Sequence, residues 1–121
     1  MAHIPGRRER LPVQEAHTRT GGHPARAVLL DVRENAEWAE GHAPGAVHAP
    51  LTDLIAGAPL PQAARDRPLV VICRSGQRSQ HAVELLVGRG ADAADVEGGM
   101  NAWAAAGYAV VGEHGNTGAT A

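Results

Sequence analysis

The sequence lacks lysine and phenylalanine, and it contains one cysteine in 121 residues. All 11 cations are arginine, and the only aromatic residues are Trp38, Trp103 and Tyr108. The core must therefore be built from Val, Leu, Ile and Ala, which contribute about 25 cal/mol per Å² of buried surface. A single cysteine excludes an internal disulfide and fits a reducing compartment, so the reactivity of this thiol becomes the main question.

Long apolar runs and a strong charge excess are also absent. The longest apolar runs are four or five residues, such as 69–73, far below the roughly 18 needed to span a bilayer. The first residues lack the apolar core of a secretion signal, so we predict a cytoplasmic protein with no membrane partner. The formal net charge of −2 is less basic than is usual for nucleic-acid binding, so no nucleic-acid partner is predicted.

Apolar runs that alternate with helical segments predict an α/β fold with a parallel sheet and right-handed crossovers. The run 69–72 is continuous and mostly β-branched, as in a central strand buried on both faces. We predict further strands at 11–13, 28–30, 47–48 and 93–96, and helices at 14–20, 34–40, 52–57, 79–88 and 100–106. We predict one domain over 11–111, with flexible tails at 1–10 and 112–121.

The only cysteine, Cys73, is the first residue after the strongest predicted strand. Ligands of open α/β sheets bind beyond the carboxyl ends of such strands. Gly76 allows the following loop to bend so that its N–H groups form an anion nest, and a helix with Ser79 as its cap begins there. Arg74 and Arg78 add positive potential. This setting favours a reactive thiolate at Cys73; the alternative is a buried structural cysteine.

Four separated motifs resemble those of single-domain rhodaneses, and the resemblance extends from about Leu11 to Val111. In chain order they are Asp31-Val32-Arg33, the segment 37–46 (Glu-Trp-Ala-Glu-Gly-His-Ala-Pro-Gly-Ala), the loop 73–79 (Cys-Arg-Ser-Gly-Gln-Arg-Ser), and the segment 98–103 (Gly-Gly-Met-Asn-Ala-Trp). Each motif alone is weak, but four in order on the expected elements are specific. One minor departure is Ala43, where the family often has isoleucine.

The resemblance implies a three-layer sandwich, with a central, mostly parallel five-stranded sheet and helices on both faces. It also implies a sulfurtransferase in which Cys73 is catalytic and takes a sulfane sulfur from a small anionic donor such as thiosulfate. A thiol, cyanide or a protein would accept this sulfur, and neither a cofactor nor a metal would be needed. The substrate would be bound by the loop residues, which are Arg74, Ser75, Gly76, Gln77, Arg78 and Ser79.

Two other functions remain open from the sequence. One is a persulfide carrier or interaction module with slow small-molecule turnover. The other is a cysteine phosphatase or arsenate reductase, which the resemblance disfavours because related phosphatases have five residues between cysteine and arginine. Here four residues separate Cys73 from Arg78.

Four further polar residues near the motifs are candidates for the site. We expect Asp31 and Arg33 to make structural ion pairs, with Glu34 or Glu37 as partners of Arg33. We expect His42 to be structural. His81 is a weaker candidate for pairing with the cysteine, because persulfide chemistry does not require a general base.

Overall fold

Five parallel strands form the centre of the fold in a computed structural model, which describes residues 9–112. The strands are β1 (Arg10–Leu11), β2 (Val28–Asp31), β3 (Val47–His48), β4 (Leu69–Ile72) and β5 (Ala93–Val96). They lie in the order β1-β5-β4-β2-β3, and every pairing is parallel. The predicted central position of β4 is confirmed, and all four of its residues are buried.

Helices cover both faces of this sheet. They are α1 (Val13–Thr20), α2 (Asn35–Glu40), α3 (Leu51–Ile55), a 3₁₀ helix (Gln62–Ala64), α4 (Arg78–Gly88) and α5 (Gly99–Ala105). Side chains alternate along β4, so Val71 packs with α3 and α4, whereas Val70 packs with α1 and α5. The predicted three-layer sandwich is therefore confirmed.

Three local predictions are wrong. The edge strand ends at Leu11, and Val13 begins α1 after Pro12, which has no N–H for a strand ladder. Ser79 does not cap α4, because the helix begins at Arg78 and the Ser79 side chain turns into the core. The spacing of Val83, Leu86 and Val87 predicts that all three lie on one buried face of α4, but Val87 is 48% exposed.

The limits of the predicted domain differ slightly from those of the ordered elements. Strand β1 begins at Arg10, inside the predicted N-terminal tail. At the other end, Val111 forms an isolated antiparallel bridge with His42. The remaining tail predictions, for 1–8 and 113–121, lie outside the described residues. None of the helices within residues 9–112 has the length and apolarity to cross a membrane.

Candidate active site

Cys73 lies at the carboxyl end of β4, immediately before the loop that leads into α4. Its residue exposure is 1%, and its Sγ accepts a hydrogen bond from the Gly76 amide at 3.1 Å. Gly76 has a φ of +98°, a left-handed value that glycine adopts without steric cost, and this conformation turns its N–H back toward the sulfur. The loop therefore supplies a hydrogen-bond donor to the sulfur.

The other predicted loop residues surround this buried sulfur unequally. Arg74, Ser75 and Gln77 are exposed. Their backbone amides donate no hydrogen bond to any acceptor within the described chain. Unsatisfied N–H groups just before a helix N-terminus favour an anion.

A chain of polar side chains lies behind the sulfur. The Cys73 thiol donates to the Ser79 Oγ at 3.4 Å, and the Ser79 hydroxyl donates to Asp95 Oδ2 at 2.9 Å. Arg10 completes the chain, with Nε 3.1 Å from Asp95 Oδ1 and Nη2 3.1 Å from Oδ2. The same Nη2 donates to the Gly76 carbonyl at 2.9 Å. The hydrogen bond and charge of Asp95 raise the pKa of Arg10.

The sequence reasoning missed both Arg10 and Asp95. Arg10 lies in the predicted N-terminal tail, and Asp95 is not among the predicted site residues. A usable signal was present at Asp95, because an aspartate inside an otherwise apolar strand is rarely fully buried unless it is paired. No such local signal marks Arg10, whose partner lies 85 positions away.

The N-terminus of α5 supports the cysteine loop from beneath. The Met100 amide donates to the Cys73 carbonyl at 2.7 Å, and the Asn101 amide donates to the Arg74 carbonyl at 3.0 Å. Gly99 has a φ of +54° and allows this close approach, since a Cβ there would overlap the carbonyl oxygen of Cys73. The start of α5 thus holds the loop in place.

Arg78 was expected to attract an anionic donor, but its guanidinium is bound to a carboxylate. Its Nη1 and Nη2 lie 2.6 and 2.8 Å from the two carboxylate oxygens of Glu37 on α2. This hydrogen bonding lowers the pKa of Glu37 to about 2 from its ordinary value of 4.5. Arg78 still interacts electrostatically with Cys73, and Arg74 is the exposed arginine of the loop.

Glu37→Gln is expected to lower the free energy of unfolding at neutral pH by about 1 kcal/mol, after allowance for solvent screening. The folded-state pKa is depressed, so the ion pair stabilises fully above about 4.5 and loses this contribution as the pH falls toward about 2. Urea denaturation at several pH values measures this difference. A gap between wild type and variant that stays constant as the pH falls toward 2 would contradict the assignment.

The remaining candidates have structural contacts. Arg33 pairs with Asp31, with Nη2 2.8 Å from Oδ2, and donates to the Gly41 carbonyl at 2.7 Å. The prediction that Arg33 pairs with Glu34 or Glu37 is therefore wrong. The reason is that a buried Asp two residues earlier offers its carboxylate to both the side chain and the amide of Arg33.

The histidines near the motifs lie away from the sulfur. His42 stacks on Trp38 with ring centroids 3.6 Å apart, as expected for a structural role. His81 is exposed on α4 and forms no hydrogen bond to Cys73. Among residues 9–112, no cluster of three His, Cys, Asp or Glu side chains could hold a metal ion.

Comparison with known families places residues 13–106 in the rhodanese-like domain. The chain belongs to this family. A relative of this rhodanese-like domain is the thiosulfate sulfurtransferase GlpE of Pseudomonas savastanoi, 39% identical over 102 residues, which covers 80% of this chain and 88% of that protein. A putative sulfurtransferase of Bacillus subtilis, YtwF, is 43% identical over 75 residues, which is 62% of this chain and 71% of the relative.

Solved structures show the same fold. A rhodanese-related protein from Thermoplasma volcanium aligns with a TM-score of 0.71 at 30% identity, covering 87% of this chain and 98% of that one. A rhodanese-like domain protein from Staphylococcus aureus aligns with a TM-score of 0.66 at 28% identity, covering 78% and 90%. The family predicted from the sequence is therefore confirmed.

Proposed function

We propose that this rhodanese-like domain is a sulfurtransferase that carries a sulfane sulfur as a persulfide on Cys73. The observation that carries the proposal is the placement of the only cysteine at a strand end, with the Gly76 amide 3.1 Å from its sulfur. Loop amides without acceptors in the described chain lie next to it and fit an anionic sulfur species. Two relatives named as sulfurtransferases support the same reaction class.

The reaction is a double displacement through a covalent intermediate. The Cys73 thiolate attacks the sulfane sulfur of an anionic donor such as thiosulfate; the S–S bond of the donor breaks, and sulfite leaves with the electron pair. A thiol, a protein or cyanide then attacks the outer sulfur of the persulfide, and the Cys73 thiolate leaves. No external oxidant or reductant is needed for this transfer.

Persulfide formation also fits the burial of Cys73. An S–S bond of about 2.05 Å places the transferable sulfur that far beyond the buried Sγ. The exposed Arg74 offers a cation to an anionic donor. Acceptors can then react with the outer sulfur without reaching the Cys73 Sγ itself.

The geometry does not favour the phosphatase alternative. A transferring phosphoryl group requires donors for three equatorial oxygens. In this site both Nη groups of Arg78 are already bound to Glu37. The loop arginine is therefore not free to bind a phosphate in a bidentate manner unless that ion pair breaks.

Intact-mass measurement after incubation with thiosulfate tests the proposal. We expect the mass of one added sulfur atom, its removal by dithiothreitol, and formation of thiocyanate when cyanide is added. We expect negligible hydrolysis of an aryl phosphate in a parallel assay. Sulfur loading with little thiocyanate formation would identify a persulfide carrier, whereas phosphate hydrolysis without sulfur loading would overturn the proposal.

A further inference from the structure

Two polar residues behind the Cys73 sulfur, Ser79 and Asp95, are fully buried, and the side chain of Arg10, 35% exposed, reaches Asp95 from the surface. Ser79 is 0% exposed, Asp95 is 1% exposed, and Cys73, which they approach, is 1% exposed. A buried carboxylate is costly unless it is paired and hydrogen-bonded. Arg10 and Ser79 together provide three hydrogen bonds to Asp95.

The Ser79 hydroxyl has one proton and two possible acceptors for it. In the structure this proton is donated to Asp95, so the Ser79 oxygen can only accept from the neutral Cys73 thiol. After the thiol loses its proton to water, the sulfur has become an acceptor. Rotation of the Ser79 hydroxyl would then direct its proton to Sγ, with no heavy atom moving.

Arg10 lowers the free-energy cost to Asp95 of losing the Ser79 hydrogen bond. When Ser79 turns away, Asp95 keeps its two hydrogen bonds to Arg10, so its charge is not left unpaired. Arg10 also holds the carbonyl of Gly76, whose amide contacts the sulfur from the other side. One guanidinium thus positions both hydrogen-bond partners of Cys73.

We propose that Arg10 and Asp95 are positioning residues that control whether the Ser79 hydroxyl donates to Asp95 or to the ionised sulfur of Cys73. The inference rests on the proposed use of Cys73 as a nucleophile. Besides Arg10 and Asp95, the charged groups that act on this sulfur include Arg78, itself paired with Glu37.

This proposal predicts that the three variants change the rate of Cys73 alkylation in different directions. Ser79→Ala removes the donor and is expected to slow alkylation of Cys73 by iodoacetamide at neutral pH by about tenfold. Arg10→Gln leaves the charge of Asp95 less compensated, so the Ser79 hydroxyl continues to donate to Asp95. We therefore expect alkylation to slow by about threefold. Asp95→Asn removes the competing charge, and we expect alkylation to accelerate by about threefold.

The experiment measures alkylation rates by mass across the neutral pH range, together with thermal stability. Leu29→Val is the stability control, because Leu29 is buried on one face of the sheet and Cys73 on the other. It is expected to lower the melting temperature without changing the alkylation profile. The profile is expected to move to higher pH in Ser79→Ala and to lower pH in Asp95→Asn.

A purely structural role predicts that all three variants change alkylation in the same direction, and that result would overturn the proposal. An unchanged rate in Ser79→Ala would overturn it as well. Alkylation of Cys73 does not depend on sulfur transfer. A wild-type protein that fails to load sulfur would therefore count against the proposed function only. The signs of the three alkylation changes would still test the roles of Arg10 and Asp95.

Discussion

Replacing Cys73 with serine is expected to abolish sulfur loading, with a fall of roughly 10³-fold or more in thiosulfate:cyanide transfer. The hydroxyl of serine is a far weaker nucleophile than a thiolate at neutral pH. No other cysteine exists in the chain to take over the role. Intact mass after thiosulfate treatment and thiocyanate formation measure the two steps separately.

The fold of this variant is expected to survive, because serine is nearly isosteric with cysteine and can accept the same hydrogen bond from Gly76. A melting temperature close to that of wild type is the necessary control. Cys73→Ala provides a second variant without any side-chain nucleophile. Sulfur addition to either variant would show that Cys73 is not the site of loading.

Gly99→Ala is expected to lower the free energy of unfolding by roughly 3 kcal/mol and to reduce sulfur loading together with it. The new Cβ would overlap the carbonyl oxygen of Cys73 and lie 2.7 Å from that of Arg74. The residue also has a left-handed φ of +54°. Relief of the clash must push α5 away from the loop, which weakens the hydrogen bonds that support the Cys73 and Arg74 carbonyls.

Gly107→Ala is the matched control for this prediction. Gly107 has a φ of +81°, but a Cβ there meets no atom within 4 Å. Only the conformational strain remains, about 1 kcal/mol, and sulfur loading is expected to stay at the wild-type level. Denaturant unfolding and the loading assay report the two effects. Equal losses of unfolding free energy and of sulfur loading in both variants would show that the contact between Gly99 and the Cys73 loop does not determine either quantity.

Local patterns were sufficient for the sheet and for the position of Cys73. The run 69–72 is uniformly apolar, which predicts burial on both faces and therefore a central strand. The residue after such a strand must lie at the carboxyl edge of a parallel sheet, which located Cys73. Errors arose where one residue decides between two local structures, as at Pro12, which lies between the end of β1 at Leu11 and the start of α1 at Val13.

The sequence by itself determined the family, the α/β layers and the loop that carries Cys73, because these depend on apolar periodicity and on motifs of adjacent residues. Only the tertiary structure decided which charges meet at the site. Arg78 meets Glu37 from 41 positions away, and Arg10 meets Asp95 from 85 positions away. Such pairs form because parallel strands and their crossovers bring distant segments together, and a buried carboxylate such as Asp95 must find a partner there.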